Sequence, residues 1–167
     1  MKYLPIDSQL FINNREKLSI RLKANELAIF NSNDVMPTNA DGTMPFKQNS
    51  DLFWLSGVDQ EESVLIIFPD HPVESQREVL FLKETNEHIA IWEGAKLTKE
   101  GALKTAGIKT VYWLNELEGK LDELIRKCNG VYLNKNIHSR SASAVETRDD
   151  RFRKMIKTKF SATTIHE

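Results

Sequence analysis

The chain has 167 residues, 40% hydrophobic and 28% charged, the balance of one globular domain with a proper core, or of such a domain and a short tail. Its net charge of −1 predicts no overall attraction to nucleic acid or to anionic lipid. The longest apolar runs, such as Val64 to Phe68, are far too short to span a membrane, and the start MKYLPIDSQL has no apolar stretch of a secretory signal.

Residues 7–24 have helical spacing. Asp7 or Ser8 can cap the start, and Leu10, Phe11, Leu18 and Leu22 recur along one side. Arg15, Lys17, Arg21 and Lys23 then fall on the other side, as a solvated face. Glu26 to Asn31 (ELAIFN) reads as a buried strand, followed by a polar loop with Pro37, Asp41-Gly42 and Pro45 as turn makers. KQNSDLFWLSG, Lys47 to Gly57, reads as a polar turn running into a core strand. On a strand, the adjacent Phe53 and Trp54 would point to opposite faces. SVLIIF (63–68) and EVLFLK (78–83) are two more strands, joined by a loose hairpin. These runs are apolar almost throughout, so the sheet is expected to be covered on both faces.

The second half alternates helix and strand. Thr98 caps a short helix through Ala106 that Gly107 stops, and Val111 to Leu114 is a strand. Leu114, Leu117, Leu121, Leu124, Ile125 and Cys128 mark one face of a helix, with Asn129-Gly130 as a left-handed stop. Val131 to Leu133 is the next strand. Ser143 and Glu146 form a capping-box pattern before a last helix at about 144–158. Strands followed by helix–strand alternation predict a layered α/β domain with a mixed sheet.

The residues that could carry chemistry do not assemble into a centre. His71, His88, His138 and His166 are far apart, have no partners at ligand spacing, and read as surface histidines. The lone Cys128 excludes an intrachain disulfide framework and reads as a buried thiol; a cytoplasmic protein is the expectation. No G-x-S-x-G is present, and the glycines never cluster as a phosphate loop. The pairs Glu61-Glu62 and Asp149-Asp150 read as solvated charge. Arg140 to Lys159 carries seven Lys/Arg against three acids, but without interleaved aromatics. It is better taken as an amphipathic helix burying Val145, Phe152, Met155 and Ile156, with no nucleic acid and no membrane as partner.

Two segments say more. Gln48-Asn49-Ser50-Asp51 with the aromatic-rich run and Gly57, followed by SVLIIF, resembles the N-terminal domain of aminopeptidase P, in the creatinase/prolidase N-terminal domain family. IWEGAKLTKEGA, with Trp92-Glu93-Gly94, resembles that family's Trp-x-Gly segment after the strand carrying Leu80-Phe81. The resemblance implies a three-layer, ribonuclease H-like α/β domain over residues 1–160, with a mixed, roughly six-stranded sheet. Residues 161–167 would then begin a linker to a C-terminal catalytic half outside this chain, of "pita-bread" fold. In the family that half binds two divalent metal ions, usually manganese, through two Asp, one His and two Glu, and a bridging hydroxide attacks the bond before a penultimate proline.

None of those ligand positions lies here, so the resemblance gives this chain no catalytic residue, no metal site and no cofactor of its own. The partners it implies are the chain's own catalytic half, a homo-oligomer (dimer or tetramer) and a peptide substrate. Gln48, Asn49, Ser50, Asp51, Gly57 and Gly94 are then structural motif residues. Trp92, expected in a loop bounded by Ala90 and Gly94, and Trp54 are the candidates for a substrate entrance or an interface. Two other readings share the pattern: the N-terminal domain of a prolidase, and a peptide- or histone-binding module from a protein with a degenerate catalytic half. Creatinase, with similar architecture and different chemistry, fits less well.

Overall fold

The computed structural model describes residues 4–140, 143 and 145–166, with the backbone alone for Trp92. Helix α1 (Ser8–Ser19) is capped by Asp7, whose carboxylate accepts from the Gln9 amide. Strand β1 (Glu26–Asn31) follows, then helix α2 (Ser50–Ser56), strand β2 (Val64–Ile67) and strand β3 (Glu78–Leu82). Helices α3 (Glu87–Glu93) and α4 (Lys99–Ala106) lead to strand β4 (Thr110–Trp113), and helix α5 (Leu117–Ile125) leads to strand β5 (Gly130–Leu133). Helix α6 (Arg148–Lys159) and strand β6 (Thr164–His166) complete the order, β6 lying in the stretch expected to begin a linker.

The six strands form one mixed sheet, as expected, and their order is β4-β3-β2-β1-β5-β6. Only β2 is antiparallel to both of its neighbours; β1 pairs parallel with β5, β5 with β6, and β3 with β4. The alternation of side chains along each strand feeds two cores. Ile29, Ile66, Phe81 and Val131 face α5 and α6, which contribute Leu121, Leu124, Ile125 and Ile156. Leu65, Ile67, Leu80 and Val111 face the opposite layer, where Leu52 and Leu55 of α2 and Ala102 and Ala106 of α4 close over them. Both faces are dry, which is why β1 to β3 read as continuous apolar runs.

Several expectations are corrected. The stretch 50–56 is a helix, not a strand. Asn49 accepts from the amides of Asp51 and Leu52, and Gly57 ends the helix at φ 68°. Four apolar residues in a row suit either element, and the cap and the left-handed stop, with seven residues between them, decide it. On a helix Phe53 and Trp54 diverge by about 100° rather than 180°. Phe53 meets Phe11 edge-on at 6.2 Å, and Trp54 is 50% exposed, so Trp54 is the ring that points away from the core.

Arg15 does not belong to a solvated face: it is 0% exposed, while Leu10, expected inside, is half exposed. The helix also ends at Ser19, well before residue 24. The segment between Ala90 and Gly94, expected as a loop, belongs instead to α3, Glu87–Glu93, with Asn86 as its cap. The left-handed stop at Asn129-Gly130 is absent; α5 closes on Arg126 in right-handed geometry, and Gly130 opens β5.

The capping box of the last helix is Thr147 with Asp150 rather than Ser143 with Glu146. Both pairs have the same spacing, but the Ser143 hydroxyl is turned onto Val145. Val145 and Met155 are consequently exposed, and Ile156 alone of the four expected residues is fully buried. His71 is buried, edge-on to Phe68 at 5.4 Å, with Nδ1 against the Val73 backbone. His166 pairs with Glu26 at 2.9 Å. Burial of the Glu26 carboxylate would push its pKa up, but hydrogen bonds from His166 and Tyr132 outweigh this and hold it below the ordinary value.

Candidate functional site

Parallel β1 and β5 end on the same edge of the sheet. The chain leaves β1 toward α2 on one layer and leaves β5 toward α6 on the other. Crevices at such carboxyl edges, where connections diverge, are where open α/β sheets hold ligands. A cleft of about 1180 Å³ opens there, between the loop after β1, the approach to α2 and the first turns of α6.

Local sequence sets its walls. Gln48 is nearly buried; its amide donates to the carbonyls of Val58 (3.1 Å) and Gln60 (2.8 Å), and its carbonyl accepts from the Asn49 amide. Gln48 therefore ties the approach of α2 to the loop after it, and Asn49 caps the helix and receives the Asn134 amide at 3.5 Å. Asp51 supplies the acid of the first turn. Across the cleft, Thr147 and Asp150 cap each other at the start of α6. Arg153 bonds Asp150 and donates to the Asn134 carbonyl at 2.7 Å, fixing α6 to the end of β5.

Asp149 sits at the base of this arrangement. Asn31, the last residue of β1 and only 2% exposed, donates to its carboxylate at 3.3 Å. Burial pushes the Asp149 carboxyl up from 3.8 to about 6, against the opposing effects of Asn31 and Arg153 and with the help of Asp150 and Asp51. The pair Asp149-Asp150 is thus not solvated charge. A raised pKa means the folded chain holds its proton more tightly than the unfolded one. Between about pH 4 and 6, stability falls as pH rises, and the cost persists above 6.

The rise corresponds to about 3 kcal/mol, cut to about 1–2 kcal/mol by the carboxyl's partial exposure. Asp149→Asn is therefore expected to stabilise the fold by about 1–2 kcal/mol at pH 7.5 and to give no gain near pH 3.5. Urea unfolding at the two pH values reads this; a loss at pH 7.5 would refute the assignment.

The expected site residues are not gathered at this cleft. Asn49 lines it, whereas Gly57 lies at the far end of α2 and Trp54 on its exposed side. Gly94 ends α3 at φ 79°. Trp92 belongs to α3, and its side chain lies outside the described residues. Helix α3 has no buried residue among those described, and Ile91 is 75% exposed. It is held by ion pairs of Glu93 with Lys83 (2.7 Å) and Lys96 (3.9 Å). Glu61 pairs with Lys96 and Glu62 with Lys83, so these two acids anchor the same corner instead of facing water alone.

The Cys128 thiol is half-buried, and burial pushes it up to about 11, far from a reactive thiolate. Among the described residues no three of His, Cys, Asp and Glu come together as a metal-ligand group, and no helix is long and apolar enough to cross a membrane. Arg15, Asp149 and the cleft itself escape sequence reasoning, since each depends on which strands meet.

Comparison with known proteins gives the fold a family. The family model "Aminopeptidase P, N-terminal domain" matches residues 11–132. Xaa-Pro aminopeptidase of Escherichia coli (strain K12) is 24% identical over 127 residues, 76% of this chain and 29% of its own length. The Haemophilus influenzae Xaa-Pro aminopeptidase is 22% identical over 129 residues, 77% of this chain and 30% of its own. The chain thus spans under a third of these relatives.

A solved Bacillus anthracis chain assigned as an aminopeptidase P superposes with a TM-score of 0.84 at 21% identity, over 97% of this chain and 38% of that one. Pseudomonas aeruginosa aminopeptidase PepP does so with a TM-score of 0.78 at 21% identity, over 95% and 34%. The helix-flanked mixed sheet and the match across most of its length make this chain a member of the aminopeptidase P N-terminal domain family.

Proposed function

We propose that this chain is the non-catalytic N-terminal domain of a Xaa-Pro aminopeptidase-like metallopeptidase, which removes an N-terminal residue preceding proline. The family match over residues 11–132 carries this reading. The curated relatives named above are Xaa-Pro aminopeptidases, which favours it over prolidase and over a histone-binding module. The hydrolytic chemistry would belong to a further catalytic half with two divalent metal ions, expected to be manganese. The described residues contain no group of three or more His, Cys, Asp or Glu that could hold such an ion.

The domain's own work would be assembly of a dimer or tetramer and shaping of the active-site mouth, in the cytoplasm. Helix α3 supports that role. It is a short surface helix with nothing buried among its described side chains, yet four ion pairs hold its corner in place. Trp92 on α3 and Trp54 on α2 are the proposed contact residues.

Two measurements test this. The purified 167-residue chain with manganese should leave a Gly-Pro peptide intact; hydrolysis by it would refute the reading. In the full-length protein, Trp92→Ala is expected to raise KM for Xaa-Pro peptides several-fold or to weaken subunit association, with kcat less affected. Unchanged kinetics together with an unchanged oligomeric state would remove Trp92 from the entrance.

A further inference from the structure

We propose that the cleft at the carboxyl ends of β1 and β5 is a docking site for an extended acidic peptide segment, held between Lys47 before α2 and Arg148 at the start of α6. Six cations line the cleft, Lys47, Lys135, Arg148, Arg153, Lys154 and Lys157, against four acids. Three of those acids are already engaged. Asp34 accepts from Arg151 at 2.6 Å, Glu146 pairs with Lys154, and Asp150 with Arg153 and Thr147. The fourth, Asp149, lies at the base, bonded to Asn31.

By contrast, neither Lys47, which is exposed, nor Arg148, which is partly buried, has an ion-pair partner among the described residues. Two cations without counter-ions on opposite walls of one cavity leave an unbalanced positive field, which a low-dielectric cleft concentrates. Complementary carboxylates from a partner would steer to it and fix its register.

The rest of the lining chooses the class of anion. At about 1180 Å³ the cleft is far larger than a lone phosphate or carboxylate needs. It has no aromatic ring among its described residues, so it offers no stacking platform for a nucleobase. It does have Met36, Met44 and Val145 as an apolar strip, all exposed, and methionine adapts to varied side chains. The amides of Asn33, Asn49 and Asn136 also line it, groups suited to a peptide backbone. Carboxylates alternating with apolar side chains on an extended backbone would satisfy all three features. This site differs from the α3 corner assigned to the entrance, and it requires no peptidase chemistry.

The test is fluorescence anisotropy on the full chain at low salt, with a fluorescein-labelled peptide of about eight Glu, Asp and Leu residues. Saturable binding is expected, displaced by the unlabelled peptide. The double variant K47E/R148E should weaken it at least ~10-fold. Lys17→Glu on α1, outside the cleft, should leave it unchanged. Should the double charge reversal fail to fold by circular dichroism, Lys47→Gln alone should still weaken binding about threefold.

Amide shifts in a nitrogen-15 titration should cluster at residues 33–49 and 135–157. The proposal is overturned if binding does not saturate by about 1 mM, if K17E weakens it as much as K47E/R148E, or if the shifts fall elsewhere. It is also overturned if tripolyphosphate or a single-stranded oligonucleotide displaces the peptide at equal or lower concentration.

Discussion

Arg15→Ala is expected to cost about 3–5 kcal/mol of folding stability, because it empties a fully buried site and leaves the Leu55 carbonyl without its partner. Arg15 shares the buried side of α1 with Phe11 and Asn14. Its Nη1 donates to the Leu55 carbonyl at 2.8 Å, near the carboxyl end of α2, and its Nε lies 2.9 Å from Glu78 at the start of β3. One guanidinium therefore joins two helices and the sheet. A cation is also favoured at the carboxyl end of a helix, where carbonyls lack partners.

Burial pulls the Arg15 pKa below the ordinary value, and Glu78 pulls it back. Removal of the side chain leaves the Leu55 carbonyl unpaired and a cavity at the junction of three elements. Arg15→Lys should recover only part of the loss, since a single ammonium cannot reach both partners as a planar fork does. Arg15→Met fills much of the volume and should separate the packing share from the ionic share. Urea denaturation of the three variants reads the result. A loss under about 1 kcal/mol for Arg15→Ala would mean that the pair contributes no more than one at the surface.

The second large effect is at Gly57. It closes α2 in left-handed geometry, φ 68°, and a Cβ there would lie 2.3 Å from Phe11 Cε2 and 2.5 Å from Cζ. The ring has little room to yield, since Phe11 is buried and packs edge-on against Phe53. Gly57→Ala thus combines left-handed backbone strain of about 1–2 kcal/mol with overpacking of about 1–3 kcal/mol, and should lose about 2–5 kcal/mol in total. Gly57→Ala with Phe11→Leu isolates the two. The smaller side chain should relieve the clash but not the strain, so the double variant should lose less than the sum of the singles. Additive losses in thermal or urea unfolding would contradict the steric account.

Both positions show how far the sequence could be read. Strands β1 to β3 were visible because two covered faces demand unbroken apolar runs, as in SVLIIF and EVLFLK, whereas β6 lay hidden in the stretch expected to begin a linker. Helix α4 was visible because Thr98 and Gly107 bracket it with their own chemistry. Helix α2 was not, since Leu52 to Leu55 suits either period; Asn49 and Gly57 held the answer as a cap and a stop. The interior Arg15 had no local signature at all. A cation on an amphipathic helix looks solvated until the partners that bury it, here Leu55 and Glu78, are brought in from 40 and 63 residues away. The cleft is illegible for the same reason: Asn31, Asn49 and Asp149 meet only because β1 and β5 become neighbours. The Trp-Glu-Gly segment marked the family without revealing that it lies on a surface helix.

The place of β1 between β2 and β5 has a consequence for how the chain is made. Its antiparallel partner β2 follows after the loop and helix α2, and β3 soon after, so a three-stranded antiparallel sheet can form from residues 26–82 alone. Its parallel partner begins only at Gly130, where the Asn129 amide bonds the Asn25 carbonyl at 2.7 Å. Until then the far side of β1 is a row of open backbone donors and acceptors carrying Leu27, Ala28, Ile29 and Phe30, with no charge or proline among those four to discourage another strand. During synthesis, and in any version shortened before residue 130, this is the edge at which two chains would pair with each other. Only when β5 docks is that edge closed, so the late strand ends the period in which the domain is open to self-association.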